Sequence, residues 1–128
     1  MAAPLTKVQT APDNPAAVFA FETLRKRSDF LAAARGRKVP TPGFMLQIRD
    51  RKDEGPIRVG FTCSKKVGNA VARNRAKRRL RELARLVLPV AGRRGHDYVL
   101  IGRPVETANR NFAQMQIELS EALGGSGK

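Results

Sequence analysis

The chain has 128 residues, a hydrophobic fraction of 41% and a formal net charge of +14. Its length and apolar content fit one domain with a modest core. The charge favours a polyanionic partner, either nucleic-acid phosphates or an anionic membrane surface. The single cysteine, Cys63, excludes an intramolecular disulfide and indicates a reducing, cytoplasmic setting. One Cys and one His exclude a structural zinc site, and no stretch approaches the ~20 apolar residues of a membrane-spanning helix.

Three segments are expected from the sequence. Residues 1–21 are rich in proline and lack periodicity, which predicts a flexible extension. Residues 22–123 are predicted to form the domain, and residues 124–128 a flexible tail. No internal repeat is visible.

The domain is predicted to begin with a short helix over residues 29–35. Ser28 is a candidate N-cap and Gly36 a candidate C-terminal stop. Pro40 and Pro42 then predict an irregular link.

Residues 44–49 and 58–64 alternate between apolar and polar side chains, which predicts two strands, each with one buried face. A charged turn over residues 50–56 separates them, so we expect an antiparallel hairpin. The faces predicted to be buried are Phe44, Leu46 and Ile48 on the first strand, and Val59, Phe61 and Cys63 on the second.

A strongly basic helix is predicted over residues 70–87. Asn69 is a good N-cap and Pro89 is expected to end the helix. One apolar stripe is expected to lie on the sheet, with cations on the other sides. The stripe is Ala76, Leu80, Leu83 and Val87.

A third strand is predicted over residues 97–103, and its centre is apolar on both faces, which indicates a place inside the sheet. Asn111 is a candidate cap for a last helix that Gly124 and Gly125 would end. Its expected core face is Phe112, Met115, Leu119 and Leu123. The order α-β-β-α-β-α predicts a two-layer α/β domain.

The sequence offers no credible active site of its own. Its eleven acidic residues are scattered, and a nuclease needs clustered carboxylates or a His pair. His96 stands alone, and we interpret it as a surface or strand-edge residue. Cys63 belongs to an apolar face, so we interpret it as a structural thiol.

Residues suited to binding nucleic acid are more numerous than candidates for catalysis. The small, hydroxyl-rich face of Gly60, Thr62 and Ser64 precedes a helix that carries cations and Asn74. Such a face lets a nucleotide strand approach closely, with side chains that reach phosphates and base edges beside it. Phe30 could either stack on an RNA base or pack in the core.

At this point a family resemblance becomes specific. The stretch GFTCSKKVGNAVARNRAKRRLRE at residues 60–82 closely resembles the signature of the bacterial ribonuclease P protein component. The resemblance extends upstream to residues 24–30 and 36–39 and downstream to residues 97–101, so it covers roughly residues 22–123.

The resemblance implies a basic subunit that joins a catalytic RNA. The complex removes the 5′ leader of precursor tRNA by Mg²⁺-dependent hydrolysis, and the Mg²⁺ ions are held mainly by the RNA. The implied partners are therefore the ribonuclease P RNA and precursor tRNA, with no required protein partner and no membrane. The implied fold is ribosomal protein S5 domain 2-like, a small mixed sheet with a left-handed βαβ crossover through the basic helix.

The resemblance also implies two sets of binding residues and no catalytic or metal-binding residue in this chain. The set expected to line the leader cleft is Phe30, Thr62, Ser64, Arg73, Asn74, Lys77 and Arg81. The set expected to face the catalytic RNA is Lys65, Lys66, Arg75, Arg78 and Arg79.

Two departures from the family pattern concern base stacking. Many relatives carry a second aromatic residue where this chain has Ala34, and some carry Tyr where it has Gln47. Both changes thin the predicted stacking surface, so they bear on which leader bases this chain prefers.

Three other classes of protein share part of this pattern. A ribosomal-type protein that binds structured RNA without a processing role shares the charge but does not explain the combined motif. A membrane-surface helix is disfavoured by the narrow apolar stripe. A protein-only nuclease is disfavoured by the scattered carboxylates.

Overall fold

A computed structural model describes residues 21–126 of the chain. The predicted extension, apart from Phe21, and the last two residues of the predicted tail therefore lie outside the described residues. The strands are β1 (Glu22–Thr23), β2 (Arg37–Pro40), β3 (Phe44–Asp50), β4 (Arg58–Thr62) and β5 (His96–Gly102). The helices are α1 (Arg27–Ala34), α2 (Ala70–Ala91), α3 (Glu106–Asn109) and α4 (Phe112–Ser126), with a 3₁₀ turn at Lys65–Val67.

The five strands form one mixed sheet in the order β1-β4-β5-β3-β2. β5 pairs parallel to β4 and antiparallel to β3, so the prediction that it lies inside the sheet is confirmed. The predicted antiparallel hairpin of β3 and β4 is wrong, because β5 lies between them. Both apolar faces of β5 are covered, since Tyr98 and Leu100 lie in one buried cluster and Val99 lies in another. The turn after β3 is joined to the start of β5 by a hydrogen bond from the Arg51 N–H to the Gly95 carbonyl (2.9 Å).

The basic helix α2 connects the neighbouring parallel strands β4 and β5. This is the βαβ crossover that the family resemblance implies. Its left-handed sense stays a prediction.

The main core lies where α2 and α4 pack on one face of the sheet, which confirms the α/β fold class. Every residue of the predicted α2 stripe is buried, and so are the apolar face of β3 and the predicted core residues Met115, Leu119 and Leu123 of α4. On β4, Val59 is buried and Phe61 is half-buried against the same core, as is Cys63 just after the strand.

Helix α1 lies on the opposite face of the sheet. There Leu24, Ala33 and Val99 form a second, smaller buried cluster, with Phe30 and Ile101 packed against it. The prediction that Ser28 caps this helix is wrong, because α1 begins at Arg27 and its first backbone hydrogen bonds are accepted by the Lys26 carbonyl.

Strand β2 was not expected, since its Pro40 pointed to an irregular link. β2 lies at the edge of the sheet, where a proline that cannot donate a backbone hydrogen bond is tolerated. The turn to β3 is closed by the Thr41 hydroxyl, which donates to the Phe44 carbonyl (2.6 Å) and accepts from its N–H (3.0 Å). β1 and α3 were also missed, because two and four residues are too few to show periodicity.

Two helix ends differ from the predicted ones. α2 continues through Pro89 to Ala91, because the fully buried Leu88 and the packed Ala91 offset the hydrogen bond that the proline removes. α4 runs through Gly124 and Gly125 to Ser126 instead of ending at the glycines. Within residues 21–126, neither these helices nor the shorter ones are long and apolar enough to cross a membrane.

Candidate nucleic-acid interface

The predicted binding residues of the motif follow one another from the end of β4 to the middle of α2. We call this region the motif surface, defined by Thr62, Ser64, Arg73, Asn74, Lys77 and Arg81. Strand β4 ends at Thr62, two residues earlier than predicted, and the Ser64 hydroxyl accepts a hydrogen bond from the Lys66 N–H (3.2 Å). Asn69 caps α2 as predicted, since its side chain accepts from the Ala72 N–H (2.9 Å). The polar side chains of the motif thus shape the turn as well as exposing hydroxyl groups beside it.

Two cations of the motif surface are held in place within the protein. Arg73 donates to the Gly68 carbonyl (2.9 Å), and the Arg81 guanidinium lies 5.5 Å from the centre of the Phe61 ring. Lys77 lies between them on the same flank of α2, as the helical spacing predicted. The flank therefore presents positive charge from partly ordered side chains, which lowers the entropy lost when an anion binds.

The Phe30 ring packs over Gly60 of strand β4. A Cβ atom on Gly60 would lie 2.5 Å from Cε1 and 2.7 Å from Cζ of the Phe30 ring, so a side chain at this position would have to displace the ring. The ring is half-buried against Leu24 and Val99, which confirms its role in core packing. Its role as a stacking surface stays a prediction, since part of the ring is exposed.

The two positions that depart from the family pattern differ in how far they are exposed. Gln47 is only 9% exposed, so it offers little surface beside α1. Ala34, at the end of α1, is half-buried. Neither supplies an aromatic face, and the effect on base preference stays a prediction.

The residues expected to face the catalytic RNA divide into two groups. Lys65, Lys66, Arg75 and Arg78 are exposed around the start of α2 and along its outer side. Arg79 is already engaged, since its guanidinium donates to the Ala108 carbonyl (2.5 Å) and the Arg110 carbonyl (2.8 Å).

Arg79 also stacks on the Phe112 ring at 5.4 Å, so it braces α2 against the start of α4. The sequence carried no signal for this brace, because its hydrogen-bond partners lie 29 and 31 residues away along the chain.

A buried carboxylate network was also missed. The Asp97 side chain is fully buried, and it accepts hydrogen bonds from Arg51 (2.6 Å) and from two nitrogens of Arg58 (both 2.8 Å). Arg49 lies 3.5 Å from the same carboxylate. Asp29 of α1 joins the network through Arg58 (3.4 Å) and Arg49 (3.8 Å). The one sequence signal for this network was the charged residue Asp97 at the start of an apolar strand.

The charge state of Asp97 follows from its partners. Burial alone would raise its pKa, but hydrogen bonds from Arg58 and Arg51 outweigh burial and hold the pKa below its usual range. The carboxylate is therefore charged at neutral pH, and the network ties α1 to the sheet.

The remaining candidates for chemistry have structural surroundings. Burial raises the pKa of the Cys63 thiol, which supports the structural interpretation of this residue. His96 lies at the first position of β5, and its Nδ1 lies 3.0 Å from the Arg94 carbonyl. The interpretation of Cys63 fits its position, and His96 lies partly exposed at the end of a central strand rather than on an edge strand.

Fold and site together define a class, that of small, strongly basic α/β domains that present a cationic helix beside a hydroxyl-bearing strand end. The family model described as Ribonuclease P matches residues 20–125 of the chain. The ribonuclease P protein component of Ruegeria pomeroyi is 66% identical over 103 residues, which cover 78% of this chain and 82% of that protein. The corresponding protein of Caulobacter vibrioides is 52% identical over 104 residues, covering 80% and 69%.

Solved structures agree. The ribonuclease P protein of Staphylococcus aureus matches with a TM-score of 0.66 and 27% identity, covering 84% of this chain and 96% of that one. The protein from Thermotoga maritima matches with a TM-score of 0.66 and 29% identity, covering 80% and 94%. The chain therefore belongs to the family of ribonuclease P protein components.

Proposed function

We propose that this chain, as the protein subunit of ribonuclease P, binds both the catalytic RNA and the 5′ leader of precursor tRNA. In doing so it assists the Mg²⁺-dependent cleavage that produces the mature tRNA 5′ end. The observation that carries the proposal is the motif surface, where hydroxyl groups at the end of β4 are followed by an amide and three cations along the first half of α2.

We assign the leader to a cleft bounded by α1, the exposed end of β4 and the flank of α2. We call this the leader cleft. Phe30 supplies a half-exposed ring on one side, and Thr62 lies exposed at the end of β4. Stacking of bases on aromatic rings and contacts of cations with the backbone are how proteins commonly hold single-stranded RNA.

The catalytic RNA would meet a different side of α2. Lys65, Lys66, Arg75 and Arg78 are exposed, so they can reach phosphates without breaking contacts within the protein. We propose that Arg79 supports this surface indirectly, because two carbonyl groups and the Phe112 ring already occupy its guanidinium.

Hydrolysis would take place at Mg²⁺ ions held mainly by the RNA subunit. Within residues 21–126, several carboxylates that could attract a metal ion are bound to arginine, among them Asp97, Asp53 and Glu118. Among those residues no group of three Asp, Glu, His or Cys side chains lies together in a way that could hold a metal ion. The chain would act in the cytoplasm without a further protein partner.

Reconstitution tests the proposal. The purified chain is mixed with a bacterial ribonuclease P RNA at low Mg²⁺ concentration, and 5′ cleavage of precursor tRNA is measured, with protein alone and RNA alone as controls. We expect cleavage at the mature 5′ end that the protein strongly stimulates. No stimulation, together with tight binding to other structured RNAs, would support a ribosomal-type binding protein instead.

A further inference from the structure

A second basic concavity lies away from the motif surface. It is an open groove of about 510 Å³ between the end of α1, strands β2 and β3, and the loop before β5. We call it the arginine groove; its charged and titratable lining is Arg35, Arg37, Arg49, Asp50, Arg93 and His96.

The arginine groove and the motif surface lie at opposite ends of the sheet. Asp50 and His96 pair at one end of the β3–β5 ladder, whereas Thr62 pairs with Ile101 near the other end. β5 has seven residues, so at ~3.3 Å per residue its ends are about 20 Å apart. One phosphate group cannot occupy both places.

The charge of the groove is not balanced from within. Four arginines face one carboxylate, Asp50, in the lining. Arg49 shares Asp97 and Asp29, but Arg35 and Arg93 are exposed and have no ion-pair partner among residues 21–126. Arginines from three separate segments line the same groove. Like charges repel one another, and a bound polyanion would offset that repulsion.

The backbone holds this arrangement close to the sheet. A Cβ on Gly36 would lie 2.2 Å from the Ile48 carbonyl oxygen, so the turn from α1 to β2 sits directly against β3. Arg35 and Arg37 flank Gly36. The close approach of Gly36 to Ile48 therefore fixes the positions of their backbones beside β3.

We propose that the arginine groove is a second site for RNA, which binds phosphodiester groups through the paired N–H donors of arginine. This inference rests on the proposed function, and two RNAs could supply the phosphates: an upstream part of the leader, or the catalytic RNA. The ligand chemistry is the same in both cases.

The test compares a double substitution in the groove with a matched pair outside it. Arg35→Ala/Arg93→Ala removes two cations of the lining. The control, Lys52→Ala/Arg94→Ala, removes the same charge from exposed cations outside the lining, one of which neighbours Arg93. Thermal unfolding of both proteins checks that the fold is kept.

Affinity is measured against salt concentration for two sets of RNA: precursor tRNAs with leaders of increasing length, and the catalytic RNA alone. At about −0.7 in slope per phosphate, the groove variant is expected to lose about 1.4 units of slope and on the order of tenfold in affinity. A loss seen only with long leaders assigns the site to the leader, and a loss with the RNA subunit assigns it there.

If the groove variant and the control had equal affinities and slopes, the arginine groove would not be an RNA site, and the proposed function would remain intact. If the unmodified protein bound neither RNA, both the proposed function and the assignment of the groove as an RNA site would be wrong.

Discussion

Gly60 sets how closely α1 can approach the sheet at the leader cleft. The Phe30 ring occupies the space that any side chain at this position would need. The motif pattern placed a small residue on the cleft face of β4, but the contact with an aromatic ring from another element required the structure.

The substitution Gly60→Ala is expected to push the Phe30 ring out of its place. Overpacking of this kind costs about 1–3 kcal/mol of stability, and a displaced ring should weaken leader binding by about tenfold. Binding of the catalytic RNA should change little. Titrations with leader-bearing and leaderless precursor tRNA measure the difference, and equal losses for both would contradict the role of Phe30.

Arg78 and Arg79 are neighbours with opposite expected roles. Arg78 is exposed, so Arg78→Ala should weaken binding of the catalytic RNA more than leader binding and leave the melting temperature unchanged. Arg79→Ala removes two hydrogen bonds from a charged donor, which should lower stability by about 2 kcal/mol and the melting temperature by several degrees.

Thermal unfolding and RNA titration of both variants check this pair. If Arg79→Ala left the melting temperature unchanged and reduced only RNA affinity, Arg79 would be a direct RNA contact. If direct titrations showed that Arg78→Ala affects leader binding more, the division between the two binding sets would be wrong.

At the scale of elements, one buried carboxylate connects α1 with three strands of the sheet. Asp97 of β5 binds Arg58 of β4, and both Arg58 and Arg49 of β3 reach Asp29 of α1. The position of α1, and with it the leader cleft, therefore depends on this network.

The variant Asp97→Asn should be less stable by about 3 kcal/mol at neutral pH, because the arginines lose a buried counter-charge. The folded-state pKa of Asp97 lies below its unfolded value, so its stabilisation is present above about pH 4 and is lost as the pH falls further. The difference in unfolding free energy between wild type and variant should therefore shrink on acidification below about pH 4.

Chemical denaturation at a series of pH values measures this difference. Asp53→Asn is the matched control, because Asp53 binds the same Arg51 from an exposed position, and its effect should be small. A difference for Asp97→Asn that stayed constant from neutral to acidic pH would show that the network acts through packing rather than charge.

At the scale of the whole molecule, the net charge of +14 predicts that binding to RNA depends strongly on salt. Six phosphate contacts at about −0.7 each would reduce affinity on the order of 10²–10³ between 50 and 200 mM salt. We expect Lys77→Ala to lower the slope by somewhat under one unit, since one contact is lost.

The control for this measurement is Arg85→Ala, because Arg85 already forms an ion pair with Glu82 on the exposed side of α2. Its slope should equal that of the unmodified protein. An unchanged slope for Lys77→Ala would mean that Lys77 does not meet a phosphate, and an affinity independent of salt would contradict electrostatic binding as a whole.

The sequence by itself determined the features that a few neighbouring residues encode. Asn69 and Asn111 cap their helices as predicted, and the apolar faces of β3 and α2 are buried. Side-chain periodicity and capping act within one or two turns, so they can be inferred without knowing the fold.

Only the tertiary structure decided how these pieces meet. The place of β5 between β3 and β4, the ion pairs of Asp97 with arginines 39 and 46 residues away, and the engagement of Arg79 depend on contacts distant in sequence. Strand pairing and ion pairing of this kind depend on how apolar surface is buried and charges are balanced across the whole domain. No local sequence pattern carries that information.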